Sequence, residues 1–537
     1  EPPNCPSLMS AKLTPRFAYA GARNVMEGRR AAWLWVGALT LALLLLGTDS
    51  LRRLDAIERA TDAAVGTRLE PEVEPDSRSG YRWNQHRLLL TQADGYQWLM
   101  QTEQAIDRGG LRVRDTLSDN APSGRDVHWA GLMRWWAQGL QRLYRFAAPE
   151  LSPPQALERV APWANAALLA AFLVVLTPLM AVRFGSLPAA LFAGGSVTVS
   201  PLYELFAVGY LDHHGVAAMS GVMAVLLLLG GGAGWVRGEE EPVRSRPEEG
   251  ALRDWIPTHR AARRWFACSG LAGAVGLWVS AATTVPVLLG LGFGALACAG
   301  VLRGSLHWPR SSWRLEPSLF RVWGAAGAVA SFCLYLLEYF PHDLGMRLEV
   351  NHPLYSLAFL GAGDLLARTL THGAPRSGSG LAWLLADLAM VLSLPAVILL
   401  TGESTFRIAD PFLWTLHDRY IAEFLDLSTW MLTRPPGTVA AEMSLVPLIV
   451  LIMAGVLWPT ALEGRWRMAW RALLLPIVAA GATYAYIFTL SVARGNEAIA
   501  VVGAAAAVAL WFMWPAFHRA RDLPPPARSL VLISAVP

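Results

Sequence analysis

The sequence predicts an all-α polytopic membrane protein of about 12–13 transmembrane helices with a long first external loop. Three observations predict it: apolar runs of bilayer length recur from Ala31 to Pro515, charge is scarce, and arginines gather in alternate loops. Of the 537 residues 54% are hydrophobic and only 16% charged, and the mean hydropathy is +0.35. A soluble chain carries about 25% charge. This one must solvate only the two faces of a bilayer.

Residues 1–25 read as a polar N-terminal tail. Arg29 and Arg30 precede the run Ala31–Gly47, and no small-residue cleavage site of the usual kind follows, so the run reads as a retained first helix with a cytoplasmic N-terminus. Residues 48–162 form the first external loop, with amphipathic pieces such as Trp129–Phe146. Loops of that length are usually functional. Helix two ends near Arg183, and helix three runs from Leu187 to Tyr210. Helix four is Gly215–Val236, helix five Phe266–Ala282, helix six Val285–Leu302 and helix seven Val322–Phe340. Helix eight is Leu354–Leu370 and helix nine Leu381–Leu400. An external loop over 402–440 separates these from Leu445–Trp458, Ala472–Ala493 and Ala498–Pro515. Ser529–Pro537 resembles the start of a thirteenth helix. Residues 26–537 thus read as one transmembrane domain, with no C-terminal soluble domain expected.

The arginines test this order. Arg237, Arg244 and Arg246 follow helix four, Arg303, Arg310 and Arg314 follow helix six, and Arg368 and Arg376 follow helix eight. Arg465, Arg467 and Arg471 follow helix ten, and Arg519, Arg521 and Arg528 follow helix twelve. The loops after helices three and five hold no Lys or Arg. Positive charge retained on the cytoplasmic side explains the pattern, and a bacterial inner (plasma) membrane is the expected location. The net charge of +4 lies in these loops and not in a basic patch interleaved with aromatics, which argues against nucleic-acid binding. Cys5, Cys268, Cys298 and Cys333 have no CxxC spacing, so neither a disulfide framework nor a zinc site is expected.

The same parity assigns three acidic clusters to one face: Asp94-Gly-Tyr96-Gln-Trp98, Gly209-Tyr-Leu-Asp212-His213-His214, and Glu403 with Arg407-Ile-Ala-Asp410-Pro411. Asp212 sits where an apolar helix should simply turn around. If the backbone there is extended, Asp212 and His214 at i and i+2 can reach one divalent cation. His213 then points away and serves a substrate or structural contact. Oxygen ligands with one nitrogen suit Mn²⁺ or Mg²⁺ better than Zn²⁺. Asp94 begins a candidate amphipathic helix, where a surface carboxylate is the plain alternative. Asp410 could be a turn residue before Pro411, and Glu403 is its rival. Asp364, inside helix eight, reads as a helix-packing residue, with ion coupling as the other use of an intramembrane acid.

In this order and on this side, these residues resemble the catalytic subunit of oligosaccharyltransferases, a branch of the GT-C membrane glycosyltransferases. That family has a metal-binding Asp in a long first external loop, an Asp-x-Asp or Asp-His-His motif after helix three, and an acid in the external loop after helix nine. Asp94, Asp212 with His214, and Asp410 match those places. The stretch Asp119 to Trp129, which includes His128, resembles the Pro-x-Gly…Trp segment of the family's first loop. The similarity covers about Ala31 to Pro515. The family's last acid is usually Glu in a Thr/Ser-x-x-Glu setting, whereas this chain has Arg407-Ile-Ala-Asp410 and no WWDYG-like sequence.

The resemblance implies a GT-C-like fold and an inverting transfer of a sugar or oligosaccharide from a polyprenyl (pyro)phosphate donor on the extracytoplasmic face. It implies Asp94, Asp212 and His214 as ligands of Mn²⁺ or Mg²⁺, and Asp94 or Asp410 as the carboxylate that activates the acceptor. His128, His213 and Glu403 are candidate substrate contacts. Arg494 reads as a phosphate clamp or as a snorkelling interfacial arginine. The acceptor is a protein, lipid or glycan. Without the family's acceptor-binding elements, transfer to Asn-x-Ser/Thr peptides by this chain alone is expected to be inefficient. The nearest rival within the class is a single-sugar transferase using a polyprenyl monophosphate. The rival from another class is an ion-coupled transporter, although the sequence offers no internal repeat for it.

Overall fold

The first apolar run is the core of a much longer helix, α1, Arg16–Val65. It carries the chain past Gly47 because the polar residues beyond the membrane pair along the helix: Arg53 with Asp49 at 2.7 Å and Arg59 with Asp55 at 2.7 Å. Such pairs at i and i+4 support a helix without a core. The structure is a computed structural model that describes residues 16–65, 90–91, 93–118, 122–198, 200–237, 257–281, 283–285, 287–292, 313–341, 350–371 and 378–401, with 432 and 435. Glu403, Asp410, Arg494 and helices ten to twelve of the sequence reading lie outside the described residues.

The loop expected over 48–162 contains three helices after the end of α1: α2 (Ala93–Asp107), α3 (Leu132–Ala147) and α4 (Pro153–Val160). The start of α4 is fixed by a capping box, Ser152 with Gln155, and a proline at its first position, where the missing N–H costs nothing. Between α2 and α3, β1 (Asp115–Thr116) pairs antiparallel with β2 (Arg125–Asp126).

α5 (Ala164–Phe184) and α6 (Ser186–Thr198) follow. The third helix ends earlier than predicted. Its last described part is the short α7 (Ser200–Glu204), after which an irregular turn runs up to His213. α8 (His214–Gly230) is buried on nearly every face, which explains why its sequence is apolar all round. It stops six residues before the predicted end, at Gly230-Gly231-Gly232, where Gly232 and Gly234 adopt positive φ. The chain then forms β3 (Trp235–Arg237), paired antiparallel with β4 (Trp313–Leu315).

α9 (His259–Val279) begins two turns earlier than the apolar run suggests, because Thr258 caps it by accepting from the Ala261 N–H. α10 (Ser318–Glu338), α11 (Pro353–Leu370) and α12 (Gly378–Thr401) agree closely with helices seven to nine of the sequence reading. Among the described residues, the helical stretches Trp33–Ala60, Pro153–Phe184 and Ser318–Glu338 are long and apolar enough to cross a membrane. The chain is an all-α polytopic membrane protein.

Helices α8 to α12 pack in sequence order, each on the next, and α1 packs against α6. α10 and α11 cross at Gly324 and Gly363. A Cβ on Gly363 would stand 2.7 Å from Gly324 Cα and 2.7 Å from Phe320 O. Those are backbone atoms and cannot step aside, as expected of small residues at a membrane helix crossing. Gly363→Ala is therefore expected to destabilise the protein by about 1–3 kcal/mol. Thermal unfolding in detergent checks this; an unchanged midpoint would mean the helices are not held this close.

Asp364 is accounted for by the same bundle. It pairs with Arg321 of α10 and with Arg368 at 2.7 Å, and Arg368 also reaches Asp387 of α12 at 2.8 Å. Two carboxylates and two guanidinium groups make a neutral quartet that ties three helices together, which is the packing role expected for it.

Candidate active site

The turn between α7 and α8 is fastened from beneath by α5. Asn165 Nδ2 donates to Leu205 O at 3.0 Å and to Asp212 O at 2.9 Å, and the Gly209 N–H donates to Pro162 O at 2.8 Å. Gly209 has φ +83, a conformation open to glycine and costly for other residues. From above, the Thr91 N–H donates to Gly209 O at 2.9 Å, and the position of a Cβ on Gly95 lies 3.5 Å from Leu211 O. The first turn of α2, which carries Asp94, therefore rests directly on the Asp212 turn. Asp94 is exposed, and the residue one helical turn on, Trp98, donates its indole N–H to Asp212 Oδ1 at 3.1 Å. Two of the three acidic clusters thus meet at one end of the bundle; the third, with Glu403 and Asp410, lies outside the described residues.

Asp212 is 3% exposed. Its Oδ1 also accepts from the His213 N–H at 2.6 Å and faces His213 Nδ1 at 2.6 Å. Oδ2 lies 3.5 Å from His214 Nε2. Burial pushes the carboxyl pKa up, but the charges of the His214 and His213 imidazoles and the hydrogen bonds from His213 outweigh it, holding Asp212 well below the usual carboxylate range. The anion is the form present at neutral pH.

The backbone differs from the extended turn that the sequence suggested. His213 is already in the α region, at φ −83 and ψ −13, as the residue preceding α8. Its ring therefore does not point away. It folds back onto Asp212 and stacks on His214 at 4.5 Å between centroids. Asp212 and His214 nevertheless stay close, with the imidazole of His214 reaching back to Oδ2.

These residues fit a divalent cation. One ligand atom from each of Asp212, His213 and His214 lies within 4.8 Å of the others. Two ligands about 2.1 Å from one ion at right angles stand about 3 Å apart, close to the separation of Oδ2 and Nε2. Oδ1 and His213 Nδ1 already face one another, so Oδ2 and His214 are the better pair.

His128 is tied to the same end of the bundle. Its carbonyl accepts from Tyr339 Oη at 2.9 Å, and its ring lies 4.6 Å from that of Trp129. Trp129 is 5.9 Å from Trp98, and Trp98 is 5.5 Å from His213. The rings of His128, Trp129, Trp98, His213 and His214 make one continuous row from the segment before α3 to the acidic turn.

Comparison with known proteins decides the fold. No family model and no curated protein sequence matches this chain. Solved structures do: oligosaccharyltransferase AglB from Archaeoglobus fulgidus, in complex with an inhibitory peptide and a dolichol-phosphate, superposes with a TM-score of 0.57 at 16% identity, over 94% of this chain and 54% of AglB. The fold is an oligosaccharyltransferase-like GT-C fold. The A. fulgidus enzyme tethered to an acceptor peptide containing the NVT sequon gives a TM-score of 0.54 at 16% identity, over 93% of this chain. Its apo form gives 0.52 at 14% identity. This chain spans about half the length of those proteins, 53–54%. Within this oligosaccharyltransferase-like fold, the residues that sequence reasoning passed over are Trp98, Arg134 and Glu338. Trp98 had a usable signal, since it stands one helical turn from Asp94. Arg134 and Glu338 are 204 positions apart and had none.

Proposed function

We propose that this protein is a membrane glycosyltransferase of the oligosaccharyltransferase type, moving a sugar or oligosaccharide from a polyprenyl (pyro)phosphate to a protein, lipid or glycan acceptor. The observation that carries the reading is the buried Asp212 anion beside His214, with the Asp94 helix seated on it, in this fold. The relatives in that fold were captured with a dolichol-phosphate and with an acceptor peptide, which are the ligand classes the reading needs. A membrane-embedded donor also gives the apolar helices a purpose: the lipid tail stays among them while its headgroup meets the loop.

Asp94, Asp212 and His214 would hold Mn²⁺ or Mg²⁺. When bound, the cation supplies positive charge to the phosphate oxygen that departs with its electron pair. The protein's own share is acceptor activation and exclusion of water. The acceptor atom attacks the anomeric carbon from the face opposite the phosphate, the bond from that carbon to the phosphate oxygen breaks, and the acceptor proton passes to a carboxylate. Asp94 and Asp410 are the proposed bases, with inversion as the result. His128 and His213 would contact substrate, and Arg494 and Glu403 would join them from the segments beyond residue 401.

The test uses the purified full-length chain in nanodiscs with a polyprenyl-pyrophosphate oligosaccharide, and with peptide and hydroxyl-bearing acceptors in separate arms. Release of the polyprenyl carrier coupled to acceptor glycosylation is expected. Ion-driven uptake in proteoliposomes without any transfer would overturn the reading in favour of a transporter. His214→Ala is expected to lower transfer by about 10²-fold or more. His213→Phe keeps the stacked ring and should lose less, about 10-fold. Equal losses would mean that both imidazoles act alike.

A further inference from the structure

We propose that Trp98 is a positioning residue for Asp212: its indole N–H occupies Oδ1, so that Oδ2 faces His214 as the metal-binding oxygen. This rests on the metal reading of Asp212 and His214 and adds the question of what orients the carboxylate. A carboxylate can turn about its Cβ–Cγ bond, and an unrestrained one presents either oxygen or both. Ligand carboxylates and imidazoles are characteristically held by outer hydrogen bonds for that reason. Here Oδ1 takes the Trp98 indole at 3.1 Å and the His213 amide at 2.6 Å. Both donors come from groups that cannot swing away. The His213 amide is backbone, and Trp98 is 3% exposed in a packed cluster with Leu99, Met133, Leu157 and Leu211.

Trp98 is itself braced through the protein. The Arg134 guanidinium of α3 lies 5.6 Å from its ring centroid, an orientation that the ring's quadrupole favours. Arg134 is completely buried. It donates from Nη1 to Gln101 Oε1 at 3.0 Å and from Nη2 to Trp129 O at 3.0 Å, and pairs with Glu338 Oε1 at 3.4 Å. Glu338 ends α10, and its Oε2 accepts from the Gly131 N–H at 2.7 Å and from Trp278 Nε1 of α9 at 3.2 Å. The external loop is thereby locked to two bundle helices through the residue that stands over Trp98. The effect of these contacts falls on the angle of Asp212.

The experiment is an Mn²⁺ titration of the purified full-length chain, read from loss of the free-ion electron paramagnetic resonance signal, beside transfer assays at low and saturating Mn²⁺. Trp98→Phe keeps an aromatic ring and removes the donor together with part of the bicycle. It is expected to raise the Mn²⁺ Kd by about 10–100-fold, with turnover largely recovered at saturating Mn²⁺. A purely structural defect would lower kcat at every Mn²⁺ concentration. Benzothienylalanine at position 98 retains the bicyclic shape with sulfur in place of N–H, and is the second variant should Trp98→Phe fail to fold. A wild-type Kd in either variant, beside lost binding in Asp212→Ala and His214→Ala, overturns the role of Trp98 and leaves the metal site standing. Wild-type Mn²⁺ binding in Asp212→Ala and His214→Ala overturns the metal reading itself.

Discussion

Asp212→Ala is expected to abolish Mn²⁺ binding and to lower glycosyl transfer on the order of 10²–10⁴-fold. The size follows from what the side chain does. It is a buried anion that receives the Trp98 indole, the His213 amide and the His213 imidazole on one oxygen and faces His214 with the other. Alanine removes the ligand and also leaves the buried Trp98 N–H without its acceptor, a further cost of about 1–3 kcal/mol to the folded protein. Asp212→Asn separates the two effects. An asparagine oxygen can still accept from Trp98, so stability should stay near wild type while binding and turnover fall. Calorimetry with Mn²⁺, the transfer assay and thermal unfolding together check the pattern. Wild-type turnover of Asp212→Asn would mean that the negative charge of Asp212 is not what the reaction uses.

Legibility in the sequence followed the range of the physics. Apolar runs of bilayer length report burial of a whole segment, so α5, α10, α11 and α12 were readable to within a few residues. Ends set by single residues were not: Gly230 to Gly232 stop α8, and Thr258 starts α9 early. Each is a local backbone effect that a hydropathy average smooths away. The stretch read as amphipathic, Trp129–Phe146, holds helix α3 from Leu132 on, but its buried stripe includes Arg134, Gln138 and Gln141 while Leu143 and Phe146 are exposed. Arg134 turns inward because partners await it there, and those partners, Gln101 and Glu338, are distant in sequence. The Asp212-His213-His214 triplet was legible because its atoms are contiguous. Its orientation by Trp98 depends on α2 folding onto the turn, which no local pattern announces.

That inward polar stripe leads to the second large effect. Glu338→Ala is expected to destabilise the protein by about 3–5 kcal/mol, the usual result of leaving a buried charge without its partner. The surface pair of Arg53 and Glu204 gives the contrast. It has the better geometry, with two hydrogen bonds of 2.9 Å each. Yet Glu204 is half exposed, so water replaces what is lost and Glu204→Ala should cost no more than about 1 kcal/mol. Burial, and not bond length, decides the order. Restoring electrical balance with the double variant Arg134→Met, Glu338→Leu should recover part of the loss, since an apolar pair of similar volume avoids the stranded guanidinium. Recovery should stay incomplete, because the Gly131 N–H and Trp278 Nε1 still lose their shared acceptor, at about 1–3 kcal/mol for each buried donor left unpaired. Thermal unfolding in detergent should therefore rank wild type and Glu204→Ala highest, the double variant between, and Glu338→Ala lowest. If the double variant melts no higher than Glu338→Ala, the stranded charge is not the source of the loss. If Glu204→Ala melts as low as Glu338→Ala, the buried network does not carry the weight that its burial implies.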